Sequence, residues 1–322
     1  MRRGFLDYFT VLFKGIAMGA ADVVPGVSGG TIAFISGIYE ELIESIDNLN
    51  LGVFKVWKSK GFKAAWSSIN GNFLLALFSG IAISILSLAK VIKWLLLHKP
   101  ILLWAFFFGL VLASVIYIAR QIKQWSPKLI IAIIVTSVLS YFITLAEPFA
   151  SPESPMYLLF CGFIAIIAMI LPGVSGAFIL LILGAYQTAI DTVDHLTEGI
   201  STGNWDMLKD AIINFLLLAF GAVVGLKVFS KALNWMFKHQ KSLTLAILTG
   251  FMIGSLNKIW PWKEVLTTRI NSEGLEVPVL EKSISPTSYT GDNQLLLAIV
   301  LMLVGFILIM VMERLGKGKN KA

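Results

Sequence analysis

Residues 20–46 read AADVVPGVSGGTIAFISGIYEELIESI, and residues 169–193 read MILPGVSGAFILLILGAYQTAIDTV. With Pro25 set against Pro172, the stretches 25–46 and 172–193 agree at ten of 22 positions: the PGVSG run, Ile32/Ile179, Ile35/Ile182, Gly37/Gly184, Tyr39/Tyr186 and Ile43/Ile190. The match continues downstream. NFLLALFSG at 72–80 corresponds to NFLLLAFGA at 214–222, and His98, Ala105, Gly109 and Ser114 correspond to His239, Ala246, Gly250 and Ser255. An apolar composition makes leucines coincide by itself. It does not repeat PGVSG, Asn-Phe and His in one order, so the chain is an internal duplication.

The 322 residues are 57% hydrophobic and 14% charged, with a mean hydropathy of +0.82. Soluble domains carry about 25% charged residues, so this composition excludes a soluble globular or disordered chain. Six apolar runs, 72–97, 101–119, 128–146, 211–236, 243–259 and 294–312, have the length of about 20 residues that a spanning helix needs. The period-two alternation of a membrane barrel is absent. A net charge of +7 reports topology in such a protein rather than a nucleic-acid partner. The lone Cys161 sits in an apolar run and reads as packing. His98, His195 and His239 have no metal-ligand spacing.

The two motif regions, 5–46 and 155–193, differ from the six runs because Pro-Gly breaks each near its middle. Each dips in and returns, or crosses twice. Three full spans lie between them, so equivalent positions face opposite sides. The expected fold is an all-α polytopic membrane protein with an inverted-topology repeat, each half a broken-helix (re-entrant) hairpin plus three transmembrane helices. The halves are 1–147 and 148–322. The side holding the N-terminus collects 17 of the 26 lysines and arginines, which places both termini in the cytoplasm of a multi-pass plasma-membrane protein. Residues 47–70 set Lys55, Lys58, Lys60 and Lys63 among Phe54, Trp57, Phe62 and Trp66. They read as a cytoplasmic amphipathic helix on the anionic leaflet. Residues 260–293 form an exterior loop.

Proline ends a helix interior, glycine permits close approach of backbone or ligand, and Ser28 can cap a helix starting after it. PGVSGG therefore ends one half-helix and starts another at membrane depth. Such a break must be buried in protein or line a polar cavity. The new helix offers free N–H groups to an anion such as phosphate. Ser28, Gly29, Gly30 and Thr31 supply donors in the first copy, and Ser175, Gly176 and Ala177 in the second. Entering from opposite faces, the two tips should meet near the midplane. The alternative is two small-residue breaks that only let helices pack closely. Asp22, whose counterpart is Met169, could carry a coupling proton or hold another cation. It could equally bond to loose amides of the break. Lys14, two turns earlier, could pair with Asp22, reach a substrate phosphate, or snorkel to headgroups. Beyond such coupling, no cofactor is expected.

The stretch GAADVVPGVSGGTIAFISGIYEELI, with its second copy LPGVSGAFILLILGAYQTAI, resembles the signature of the bacterial undecaprenyl phosphate translocases of the PopT type. The resemblance covers most of the chain. It implies a transporter that returns undecaprenyl phosphate, the lipid carrier of cell-wall and surface-glycan precursors, from the outer to the inner leaflet. The family motif maps onto Asp22, Pro25, Gly26, Ser28, Gly29 and Gly30, and onto Pro172, Gly173, Ser175 and Gly176. The implied partners are a polyprenyl phosphate lipid and the bilayer. One alternative is an intramembrane hydrolase similar to the undecaprenyl pyrophosphate phosphatases, in which an arginine follows the motif serine. Gly29 and Gly176 stand there instead, and no arginine lies in either motif to stabilise a leaving group. No enzyme activity is therefore expected. A carrier of a small soluble anion is the other alternative.

Overall fold

The computed structural model describes residues 4–24, 27–147, 154–270 and 276–319. The first motif region forms α1 (Phe5–Asp22), α2 (Gly29–Ile35) and α3 (Tyr39–Asn48). Two short helices come next, α4 (Gly52–Lys60) and α5 (Phe62–Ser68), then three long ones, α6 (Gly71–His98), α7 (Pro100–Ala119) and α8 (Pro127–Leu145). The second motif region forms α9 (Pro155–Ile170), α10 (Gly176–Ile182) and α11 (Tyr186–Thr202). After it come α12 (Trp205–His239), α13 (Lys241–Ser255), the strands β1 (Lys263–Ile270) and β2 (Glu276–Ser283), and α14 (Leu295–Lys319).

The chain is a mostly helical, multi-pass membrane protein. Among the described residues, four helices, α6, α7, α8 and α12, are long and apolar enough to cross a bilayer, and α10 with α11 makes a fifth candidate, bent by 111°. Of the six apolar runs expected to span, four are these long helices, α12 starting six residues before its expected bound because Asn204 caps it by accepting the Met207 N–H. The run 243–259 is helical only as far as Ser255 in α13, and 294–312 falls in α14, whose apolar part Leu295–Val311 is shorter.

Both motif regions break and turn in the same way. Ser28 and Ser175 are the N-caps of two seven-residue helices. Each helix ends on a glycine with positive φ, Gly37 at 73° and Gly184 at 69°. Gly37 donates to the Phe34 carbonyl and Ile38 to Ala33; Gly184 donates to Leu181 and Ala185 to Leu180. That paired pattern terminates a helix through a left-handed residue, which a Cβ would strain. It is why glycine recurs at this place in both copies.

The chain gathers into two compact units, Met1–Leu86 with Pro148–Thr244, and Ser87–Glu147 with Leu245–Ala322. Each unit draws corresponding pieces from both sequence copies. In the first, α12 packs on α9, α11 and α3, and α1 packs on α2. In the second, the corresponding residues Gly109 and Gly250 make equivalent crossings: Gly109 of α7 abuts the Met302 carbonyl of α14, and Gly250 of α13 abuts the Ile133 carbonyl of α8. Ser140 adds a hydrogen bond to the Phe251 carbonyl at 2.9 Å.

Two stretches differ from the sequence reading. The amphipathic segment 47–70 is two helices, because Gly61 takes φ +81° between α4 and α5. The connection 260–293 contains an antiparallel hairpin, β1 on β2, with a register shift between Val265 and Thr268. Its base is tied down at several points. Trp260 Nε1 donates to the Ile284 carbonyl and Trp262 Nε1 to that of Asn293. Lys263 sits 3.9 Å over the Trp104 ring.

Candidate functional site

The site is built where the first break meets the second, inside the first unit. α2 is buried along its whole length. Its first amide, Gly29 N–H, donates to Asp22 Oδ1 at 2.6 Å. The next, Gly30 N–H, donates to Ser28 Oγ at 3.1 Å, and Thr31 N–H to the Ser28 carbonyl at 2.9 Å. A carboxylate is favoured at a helix N-terminus and a cation at the C-terminus, and α1 supplies both. Lys14 Nζ donates to the carbonyl of Ser36, the C-cap of α2, at 2.6 Å. Lys14 and Asp22 are eight residues apart on α1, about 12 Å at 1.5 Å per residue, against about 10 Å for seven residues of α2. The two charged side chains thus bracket the short helix.

The second break presents the end of α9, where the last carbonyls of any helix lack intrahelical donors. Side chains of the first copy supply them. Ser28 Oγ donates to the Met169 carbonyl at 2.9 Å, and Tyr39 OH to the Ile170 carbonyl at 3.0 Å. In return, Gly173 N–H donates to Thr31 Oγ1 at 2.9 Å. Ser28, Thr31 and Tyr39 are all buried. Tyr39 is held in place by edge contacts with Phe34 and Phe237, at 4.9 and 5.9 Å between ring centroids. Close approach explains two glycines. A Cβ on Gly29 would strike the Asp22 carboxylate, and one on Gly30 would lie 2.5 Å from the Ile170 carbonyl oxygen.

The two copies are not equivalent. Ser175 accepts the Phe178 N–H at 3.5 Å, and α10 buries only Ile182. Where the first copy has Asp22, the second has Met169, whose Cβ would lie 3.3 Å from a Cβ placed on Gly176. Among the described residues, no acceptor meets the Gly176 and Ala177 amides.

Of the residues singled out from the sequence, Asp22, Ser28, Gly29, Gly30, Thr31 and Gly173 come together at this junction, with Pro172 buried beside it. Ser175 and Gly176 open the next helix. Pro25 and Gly26 lie outside the described residues. Lys14 is at the far end of α2, on the Ser36 carbonyl. Tyr39, matched with Tyr186 in the repeat, donates across the junction. The carbonyls of Met169 and Ile170 carry no side-chain signature, and the sequence singled out neither.

The chain matches the undecaprenyl phosphate translocase-like family over residues 18–277. It is 45% identical over 313 residues to a polyprenyl-phosphate transporter of Vibrio cholerae serotype O1, covering 96% of this chain and 97% of that protein. A polyprenyl-phosphate transporter of Staphylococcus aureus is 32% identical over 263 residues, 78% of this chain and 85% of its own. No solved structure matches. By the extent of these matches, which run through both breaks, the chain belongs to the undecaprenyl phosphate translocase-like family.

Proposed function

We propose that this protein is a polyprenyl-phosphate transporter that moves undecaprenyl phosphate from the outer to the inner leaflet of the bacterial plasma membrane, its phosphate held at the paired PGVSG breaks. The observation that carries the reading is the direct junction of the two breaks through Ser28, Thr31 and Tyr39. Family membership and the named activity of the relatives support it. The substrate is one phosphate on a long apolar tail. Its tail stays in lipid, and only the headgroup needs polar partners at depth, which broken backbone and hydroxyls provide without a bare buried cation.

The inverted-topology repeat, with both termini cytoplasmic and halves 1–147 and 148–322, completes the proposal. It is supported by the shared order of elements, the matched Gly37 and Gly184 turns and the equivalent crossings at Gly109 and Gly250. An inverted repeat lets one site face either side by rocking of its parts. Headgroup binding is an exchange of anions: phosphate oxygens replace Asp22 Oδ1 on the Gly29 N–H, and the open Gly176 and Ala177 amides add donors. An ionised Asp22 repels the phosphate, so protonation of Asp22 favours binding and couples transport to protons. The protein transports without hydrolysis, since glycines follow both motif serines.

The test uses purified protein in liposomes with fluorescent undecaprenyl phosphate in one leaflet, its arrival in the other followed alongside phosphate release. Faster crossing without phosphate release is the expected result. Release from the pyrophosphate form without crossing overturns the reading in favour of a hydrolase. Transfer of a soluble anion alone overturns it in favour of an ordinary secondary carrier. For coupling, Asp22→Asn should remove the pH dependence of transport; an unchanged dependence refutes it.

A further inference from the structure

Among the described residues, nothing covers the elbow formed by α4 and α5. α4 buries no residue and α5 only Ala65. Isolated helices of nine and seven residues are not stable in water, so a surface outside the fold must hold them. The exposed side chains say what kind. Leu51 is 90% exposed, Phe54 59% and Phe62 64%, with Trp57 half exposed. Phe54 and Trp57 lie on one helical face with rings 5.4 Å apart. Among them stand Lys55, Lys58, Lys60 and Lys63, all exposed. From Asn48 to Ala146 the sequence has no carboxylate to neutralise them.

Aromatic rings that reach the acyl boundary, beside lysines that reach the headgroups, are the interfacial pattern of a helix lying in a bilayer surface. We infer that the α4–α5 elbow is a docking surface for anionic phospholipid headgroups of the leaflet beside it. Its charge selects that leaflet over a zwitterionic one, and Gly61, at φ +81°, sets the bend. The elbow is also joined to the transport unit. Trp66 Nε1 donates to Asn72 Oδ1 of α6, and Asn70 Nδ2 donates to Glu41 Oε1 of α3, both at 2.7 Å. α3 begins with Tyr39, which bonds the second break. Docking of the elbow thus fixes the helix that carries one bond of the junction.

The test reads the elbow alone. The full chain, with Cys161→Ser and Ser59→Cys, is labelled with an environment-sensitive fluorophore and placed in nanodiscs of phosphatidylcholine, with or without phosphatidylglycerol. Amide exchange of residues 51–69 in the unsubstituted chain is followed in the same discs, so the result does not depend on the cysteine variants. Both leaflets of a disc are alike and no substrate is present, so the outcome is separable from transport and from orientation. Phosphatidylglycerol should shield the label from iodide and slow amide exchange, by about five-fold for each engaged lysine. Raising salt from about 0.1 M to about 1 M, which shortens the screening length from about 10 Å to about 3 Å, should reverse both. Changing all four lysines to glutamine should abolish the difference between the discs. Equal shielding in both discs overturns the inference, since the surface would be apolar without charge recognition. Shielding that persists in detergent and grows with protein concentration overturns it in favour of a second copy of the chain.

Discussion

Thr31→Val tests the junction with little change in shape. Valine keeps the β-branched outline of threonine, so packing in the buried α2 is preserved, but the acceptor for the Gly173 N–H is lost. Gly173 is partly buried, and an amide there that loses its partner costs at most what a fully buried one does, about 1–3 kcal/mol. If the opening of this junction is local, that cost appears as amide exchange faster by a factor of at most about 5 to about 150. The assay is hydrogen exchange read by mass spectrometry, on a peptide covering 171–176 in a nanodisc. Acceleration should be confined to that peptide and the 27–36 segment, with the α7–α14 pair unchanged. Thr31→Ser keeps the hydroxyl and should retain most of the protection. Transport should slow in Thr31→Val and be largely kept in Thr31→Ser. Exchange at 171–176 that is the same in Thr31→Val and the wild type would refute the bonding between the breaks.

Gly30→Ala would place a methyl 2.5 Å from the Ile170 carbonyl oxygen, roughly 0.8 Å inside the usual carbon–oxygen contact of about 3.3 Å. The breaks must part to admit it, so flipping should fall sharply, and a wild-type rate in the liposome assay would contradict this. At the hairpin base, Glu281 bridges both Lys258 at 3.7 Å and Lys263 at 3.2 Å, and their side chains are only 14% and 7% exposed. Glu281→Gln takes the carboxylate away from the buried Lys263 ammonium and should destabilise the hairpin by about 3 kcal/mol, whereas Lys263→Met keeps the Lys258–Glu281 pair and should cost little. Exchange at residues 276–283 separates the two. Burial pushes the Lys263 ammonium down to about 8, against the pull of Glu281. The unfolded lysine keeps its proton to higher pH, so between about 8 and about 10.5 the unfolded state binds more protons and stability should rise with pH. Lys263→Met should flatten that rise in a thermal melt, and an unaltered slope would assign it to another group. Finally, the Glu44–Lys238 pair between α3 and the end of α12 and the Glu40–Lys241 pair between α3 and the start of α13 are half exposed, and such pairs are worth about 0.2–1 kcal/mol each. Glu40→Gln with Glu44→Gln should therefore leave the melting temperature and transport near wild type.

The breaks were legible because Pro, Gly and Ser act on their own neighbourhood. A serine after Pro-Gly caps the helix that starts beside it; Gly37 and Gly184 stood out in the sequence only as matched positions of the repeat, and their left-handed turns came from the structure. The long helices were legible from the length of apolar runs. What could not be read was who meets whom across the fold. Ser28 and Met169 are 141 residues apart, and one partner is a carbonyl that every residue type carries. Asp22 lies seven residues before the amide it accepts from, across the break, beyond the two- or three-residue reach of ordinary capping. The hairpin was hidden by Pro278, which argues against an inner strand. A two-stranded ribbon has only edge strands and tolerates it. The β-branched Val265, Thr267, Thr268 and Ile270 were the available signal.

The position of the headgroup during transport decides whether the paired breaks are the phosphate site. An undecaprenyl phosphate analogue with a photoreactive group next to the phosphate would be flipped by the protein in liposomes and then illuminated, and the modified peptides identified. Labels should fall on both breaks, within 27–31 and 171–177, reduced together by excess unlabelled undecaprenyl phosphate and by Ser28→Ala. Labels confined to other segments, with transport intact, would contradict the assignment of the paired breaks as the phosphate site.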